Sequence, residues 1–190
     1  GQINNIDWSG ETKREAKGHE QGRRMAKVLV DHLTEAIPGM DLDDDVTLSG
    51  AMESFEFSRK AITEADLEIA EKILAGADGA LDYEDGPFSW VVGQPIPADR
   101  VDVYAGQGKQ VVALPEQMVA EVQTLRIGPA GVITFPGEVF VEIGRRAKEL
   151  FAGAPLFTPS LANGYIGYIC TDKALTEEGG YETWAATSSL

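Results

Sequence analysis

At 190 residues with 43% hydrophobic content, the chain is long enough for one core-bearing domain of ordinary size. Sixteen basic residues face 31 acidic ones, for a net charge of −15, which argues against a phosphate-backbone partner and hence against nucleic-acid binding. No apolar run reaches the length of a membrane span, and the single cysteine, Cys170, rules out an internal disulfide.

In chain order, a polar N-terminal stretch carrying Ile3, Ile6 and Trp8 gives way near Glu11 to a charged helix running to about Ile37. Met25, Val28, Leu29, Leu33 and Ile37 form its apolar stripe, and Pro38-Gly39 stop it. An acidic loop, Asp41 to Asp45, leads into a strand in which Val46, Leu48 and Met52 alternate. Phe55 and Phe57 then break the phase, which predicts a bulge. Thr63 reads as the N-cap of a helix carried by Leu67, Ile69, Ala70, Ile73 and Leu74 to Gly76. From Ala77 to Ala98 the composition predicts a long irregular connection around Tyr83, Phe88 and Trp90, of the kind that often forms a lid. Residues 99–117 fit strand or helix equally. Trp8 and Trp184 near the two ends both call for a pocket, so the chain reads as a piece of a longer polypeptide.

The stretch from Gln123 to Lys148 is the most legible. It predicts a strand through Leu125 and Ile127, a turn at Gly128 to Gly131, a second strand from Val132 to Phe135, and a stop at Pro136-Gly137. Glu138 is expected to open a helix with Val139, Phe140, Ile143, Ala147, Leu150 and Phe151 on its apolar side. A carboxylate would then sit in the positive field of a helix N-terminus, at a strand-to-helix corner where α/β proteins commonly place ligands. Leu156 and Phe157 suggest a further strand, followed by tyrosines interleaved with glycines at 164, 167, 179 and 180. Such glycines allow sharp turns that point a phenol into a cleft. The overall expectation is an α/β fold, a mixed sheet with helices packed on its faces.

Other constellations carry less. His19 and His32 stand thirteen positions apart on one helix and make no zinc motif. The DLDDD run lacks the glycine and closing glutamate of a calcium loop, and reads as a solvated acidic loop. Gly106 and Gly108 lack the third glycine of a dinucleotide fingerprint. Ser9 is in no nucleophile elbow. On residue type alone, Glu138 is equally a helix first-turn acid, and Tyr165, Tyr168 and Tyr181 are equally core or boundary aromatics.

The combination LRIGPAGVITFPGEVFVEIGRRAK, then LANGYIGYICTDKALTEEGGYE, resembles the neutral/alkaline non-lysosomal ceramidase family, in its bacterial branch. GQINNIDW and GHEQGRRMAKVL resemble the same family's catalytic domain more loosely. The resemblance implies that residues 1–190 are the C-terminal portion of such a domain, truncated at both ends. It implies a zinc-dependent hydrolase of N-acylsphingosine or a related lipid amide, with two histidine ligands upstream in the rest of the parent polypeptide. Residue by residue, Glu138 in PGE matches the carboxylate zinc ligand and Tyr168 in YIGY the tyrosine ligand. Tyr181 in GGYE matches the tyrosine beside the scissile amide, one residue further along than in the family pattern. Asn4 stands where the family has a catalytic serine, and Gln2 where it has an aspartate. The alternative is a non-catalytic homologue whose cleft binds a ligand or partner. The family leans towards secreted or periplasmic proteins. Phe88, Trp90 and Ile96 are candidates for lining an acyl pocket, and packing accounts for them equally well.

Overall fold

The computed structural model describes residues 18–76, 88–151 and 153–190, and divides the chain into two units, Gly1–Thr47 and Leu48–Leu190. In the first, α1 (Gly18–Ala36) ends in a 3-10 turn, Ile37–Gly39, with Pro38 at the turn's start. The helix stops where Pro and Gly demand it. Its stripe of Val28, Leu29, Leu33 and Ile37 is exposed. The expected start of this helix at Glu11, like Trp8 and Asn4, lies outside the described residues.

The second unit is α/β. Its main sheet has the order β1-β2-β3-β5, formed by β1 (Leu48–Ser58), β2 (Gln117–Ile127), β3 (Ala130–Ile133) and β5 (Leu156–Phe157). β1 and β2 pair antiparallel without interruption from Leu48↔Ile127 to Ser58↔Gln117, so the expected bulge is absent. The phase break is real but lies in side-chain chemistry rather than in the backbone. Successive strand residues face opposite ways, so Leu48 and Met52, with Leu125 and Ile127, are apolar on one face. Phe55 and Phe57, opposite Ala120 and Met118, are apolar on the other. Leu48, Met52, Leu125 and Ile127 are all exposed.

The hairpin from β2 to β3 is tighter than expected. Ile127 pairs with Ala130, leaving only Gly128 and Pro129 in the turn, with Gly128 at φ 55 in the first central position. β3 pairs in parallel with β5. α4 (Val141–Leu150) follows, and the Phe151 ring just beyond it lies over Gly131, where a Cβ would approach within 2.7 Å. A groove of about 480 Å³ opens here, lined by Ala51, Thr124, Ile133, Ala147 and Leu150 among others.

α2 (Glu64–Leu74) begins after Thr63, the expected N-cap, and Asp66 closes a full capping box with it. The ambiguous stretch after residue 98 is helical: a 3-10 turn, Ala98–Arg100, runs into α3 (Val101–Val112), which packs on α2. Gly106 and Gly108 are inside α3, so they form no phosphate loop. The core joins Ala70, Phe88, Ile96, Val101, Ala105 and Trp184. Phe88 and Ile96 are thus buried core, and Phe88 stacks on Trp90 with centroids 4.7 Å apart. For Phe88 and Ile96 packing, not an acyl pocket, is therefore the outcome, while residues 77–87 of the expected connection lie outside the described residues. Tyr83 lies outside the described residues. No helix among the described residues is long and apolar enough to cross a membrane.

Candidate functional site

Glu138 does not open a helix. It forms, with Val139, the two-residue strand β4 (Glu138–Val139), and α4 begins only at Val141, with Phe140 as N-cap and Glu142 as its first-turn acid. The physical reason is a partner invisible to local periodicity. β6 (Tyr168–Ile169) lies alongside in parallel, and extended pairing holds Glu138 and Val139 out of the helix. The helix-field argument for Glu138 therefore falls.

What replaces it is a direct juxtaposition. The register of β4 and β6 sets Glu138 opposite Tyr168 and Val139 opposite Ile169. Glu138 N donates to Gly167 O at 2.8 Å, and Phe140 N to Ile169 O at 3.0 Å. The segment before β4 is zipped to the loop before β6 by Phe135 N to Pro159 O, Leu161 N to Gly137 O, Ala162 N to Phe135 O and Ile166 N to Pro136 O. Thr134 Oγ1 donates to Gln123 O and accepts from Gln123 N and Asn163 Nδ2, which ties this loop to β2.

Two glycines permit the close approach. A Cβ on Gly137 would meet Gly167 O at 2.3 Å. Gly167 itself adopts φ 79, and a Cβ there would meet Ser188 O at 2.3 Å. Both exceed what a backbone contact tolerates, and the positive φ further requires glycine. Tyr168 N donates to Ser188 O at 2.9 Å, extending the ladder to the C-terminal strand-like segment.

Tyr181 comes from a separate turn. Gly179 and Gly180 carry φ 71 and 111 between a π-helical turn, Ala174–Glu178, and the 3-10 turn Tyr181–Thr183. Gly93 and Gly179 bridge, and a Cβ on Gly179 would meet Val92 O at 1.8 Å, so two bare backbones lie in contact here. The result sets the Tyr181 ring edge-on to Tyr168, with centroids 5.7 Å apart and planes at 88°. Tyr168 is half-buried and Tyr181 is exposed.

The Tyr168 phenol is held well above its ordinary pKa. Burial is the first cause, followed by a hydrogen bond with Tyr181 and the negative potential of Tyr181, Glu138 and Glu182. It is therefore a neutral phenol at pH 7. Burial also raises the Tyr104 hydroxyl; Arg100 opposes this, while Tyr181 and Glu182 add to it. A chain of phenols thus runs from Glu138 through Tyr168 and Tyr181 to Tyr104 and Arg100, with Glu182 beside it. Cys170 donates through Sγ to Glu182 O at 3.4 Å, and burial pushes its thiol up to about 11. A thiol so placed is no thiolate nucleophile at neutral pH.

Sequence reasoning missed Glu182, Arg100, Tyr104 and Gln94. Glu182 was visible as the acid directly after Tyr181. Arg100 and Tyr104 had no signal, because residues 99–117 carry neither clean period. Tyr165, taken as a core or boundary aromatic, is exposed. His19 and His32 are exposed on α1, and Asn4 lies outside the described residues.

Glu138 and Tyr168 are adjacent oxygen donors of kinds that zinc accepts. No group of three His, Cys, Asp or Glu side chains able to hold a metal occurs among the described residues. No family model, curated protein or solved structure matches the chain.

Proposed function

We propose that the chain contributes one wall of a zinc-dependent amide hydrolase of the neutral ceramidase-like type, acting on a small-molecule or lipid amide. The observation that supports this reading best is the parallel register of Glu138 with Tyr168, with Tyr181 edge-on to the latter. A carboxylate and a phenol brought together from distant segments, with a second phenol at hand, are the right groups for half a metal shell and an oxyanion donor.

In this reading Glu138 and Tyr168 hold the zinc, and two histidines from the rest of the parent polypeptide complete its shell. The metal supplies Lewis acidity, polarising an amide carbonyl and bringing a water's pKa towards about 7. The chain's own residues do the remainder. Glu138 brings negative charge. Tyr168 would be the second oxygen ligand, and holding the metal would require its phenol to give up a proton. Tyr181, an exposed phenol, hydrogen-bonds the oxygen of the amide as charge develops on it. The glycines at 137 and 167 keep the two ligands in register.

The test is zinc content and amide hydrolysis of the parent protein carrying Glu138→Ala or Tyr168→Phe. Both should lose zinc, and Glu138→Ala should lose hydrolysis entirely. Unchanged metal content in Glu138→Ala would sink the proposal.

A further inference from the structure

Beyond Tyr181 the candidate site continues into a second cavity of about 390 Å³, lined by Gln94, Pro97, Arg100, Tyr104, Tyr181 and Trp184. The zinc reading makes no use of it. Its walls are aromatic, and Tyr104 and Trp184 meet edge-to-face with centroids 4.9 Å apart. Its side chains offer donors in a guanidinium, an amide NH₂ and two phenolic hydroxyls, with the amide and phenol oxygens also able to accept. The only formal charge in the lining is positive, in a chain whose net charge is −15.

Two observations go beyond lining composition. Trp184 is 4% exposed, yet its Nε1–H, out of reach of solvent, has no hydrogen-bond acceptor among the described residues. A buried donor left unpaired costs about 1–3 kcal/mol, so it is normally matched by some acceptor. Among the described residues Arg100 forms an ion pair with Asp99 at 4.0 Å, and that carboxylate is itself largely in water. A surface pair of this kind holds the guanidinium weakly and leaves its fork available.

We propose that this cavity binds a carboxylate on the substrate, with Arg100 as its cation, Gln94 and Tyr104 as further donors and the Trp184 ring as an apolar wall. Resting on the amide-hydrolase reading, the inference names the substrate class: an acyl amide bearing a carboxylate, with Tyr181 standing between the scissile bond and the acid. A single guanidinium matches a monoanion. A phosphate dianion would meet Glu182, which lies close enough to raise the Tyr104 pKa, with only one cation to offset it.

The experiment uses the metal-free 190-residue chain, so that it stands whether or not zinc is bound by Glu138. Benzoate, benzamide and phenyl phosphate are titrated at constant ionic strength. The readout is the indole N–H resonance of Trp184, assigned by its loss in Trp184→Phe. Benzoate should shift that resonance saturably, and Arg100→Gln should weaken benzoate binding at least about tenfold, as expected for loss of a charge-assisted pair. Benzamide should bind at least about tenfold more weakly than benzoate for the same reason. The proposal is overturned if benzamide equals benzoate, if Arg100→Gln binds unchanged, if phenyl phosphate binds more tightly than benzoate, or if no saturable shift is seen.

Discussion

Asp66 is a buried carboxylate whose removal has a consequence that can be worked out from its contacts. It is 2% exposed and accepts four hydrogen bonds. Oδ2 takes Thr63 N at 2.8 Å, Thr63 Oγ1 at 2.6 Å and Ser89 Oγ at 2.7 Å, and Oδ1 takes Ser89 N at 2.7 Å. It thus closes the cap of α2 and anchors the segment carrying Phe88, which packs in the same core as Trp184. Asp66→Ala loses the reciprocal half of the capping box, worth up to about 1 kcal/mol, while Thr63 Oγ1 still accepts from the residue-66 N–H, and it loses the charged bonds to Ser89, worth about 1.5–3 kcal/mol each before hydration of the freed donors. Thr63 and Ser89 are exposed, so water recovers part of this, and a net loss of about 2–4 kcal/mol is expected. With a urea slope of about 2 kcal/mol/M, the unfolding midpoint should fall by about 1–2 M. Asp66→Asn should cost less, because its oxygen can still take the three bonds of Oδ2, while its NH₂ meets the Ser89 N–H donor. A fall of less than about 0.3 M in Asp66→Ala would refute the reasoning.

The same network sets an acid dependence. Burial pushes the Asp66 carboxyl up, but the bonds from Thr63 and Ser89 outweigh it, and the folded pKa lies below 3.8. A depressed carboxyl stabilises the fold above its unfolded pKa, so the gap between wild type and Asp66→Asn should be full above pH ~5 and close as pH falls below 3.8. Gly167→Ala should displace β6 from β4, because φ 79 and the Ser188 carbonyl leave no room for a methyl; a loss of about 2–4 kcal/mol is expected by urea unfolding. Tyr181→Phe should bring the Tyr168 titration down towards the ordinary range, read by ultraviolet absorbance, since Tyr181 supplies two of the causes that raise it. The 190-residue chain loaded with zinc should show no measurable amide hydrolysis, because a carboxylate and a phenol make half a shell.

Much of the architecture is present in local pattern. The β2–β3 hairpin, the Thr63 cap and the end of α1 at Pro38 follow from alternation, capping and turn residues within a few positions of one another. The α/β class follows with them. Where local pattern misled, a distant partner intervened. The run from Glu138 has helical spacing, yet its first two residues are strand because β6 pairs with them from thirty positions away. The phase change in β1 looked like a bulge, and is instead a strand whose apolar side changes face halfway while its pairing continues. For Phe88 and Ile96 local pattern left ligand pocket and packing open, and they are core because α2 and α3 close on them.

The candidate site divides the same way. Glu138, Tyr168 and Tyr181 stand out in the sequence by their glycine-rich settings, and those glycines have a spatial reason. Gly137, Gly167 and Gly179 are the points at which backbones touch, so residue type there records a contact made in three dimensions. What the chain alone determined is therefore the set of sharp turns and the side chains set upon them. Which phenol faces which carboxylate, and that Arg100 and Trp184 share a cavity with Tyr181, was decided only by tertiary pairing. Register between segments thirty to eighty residues apart leaves no periodic trace in either one.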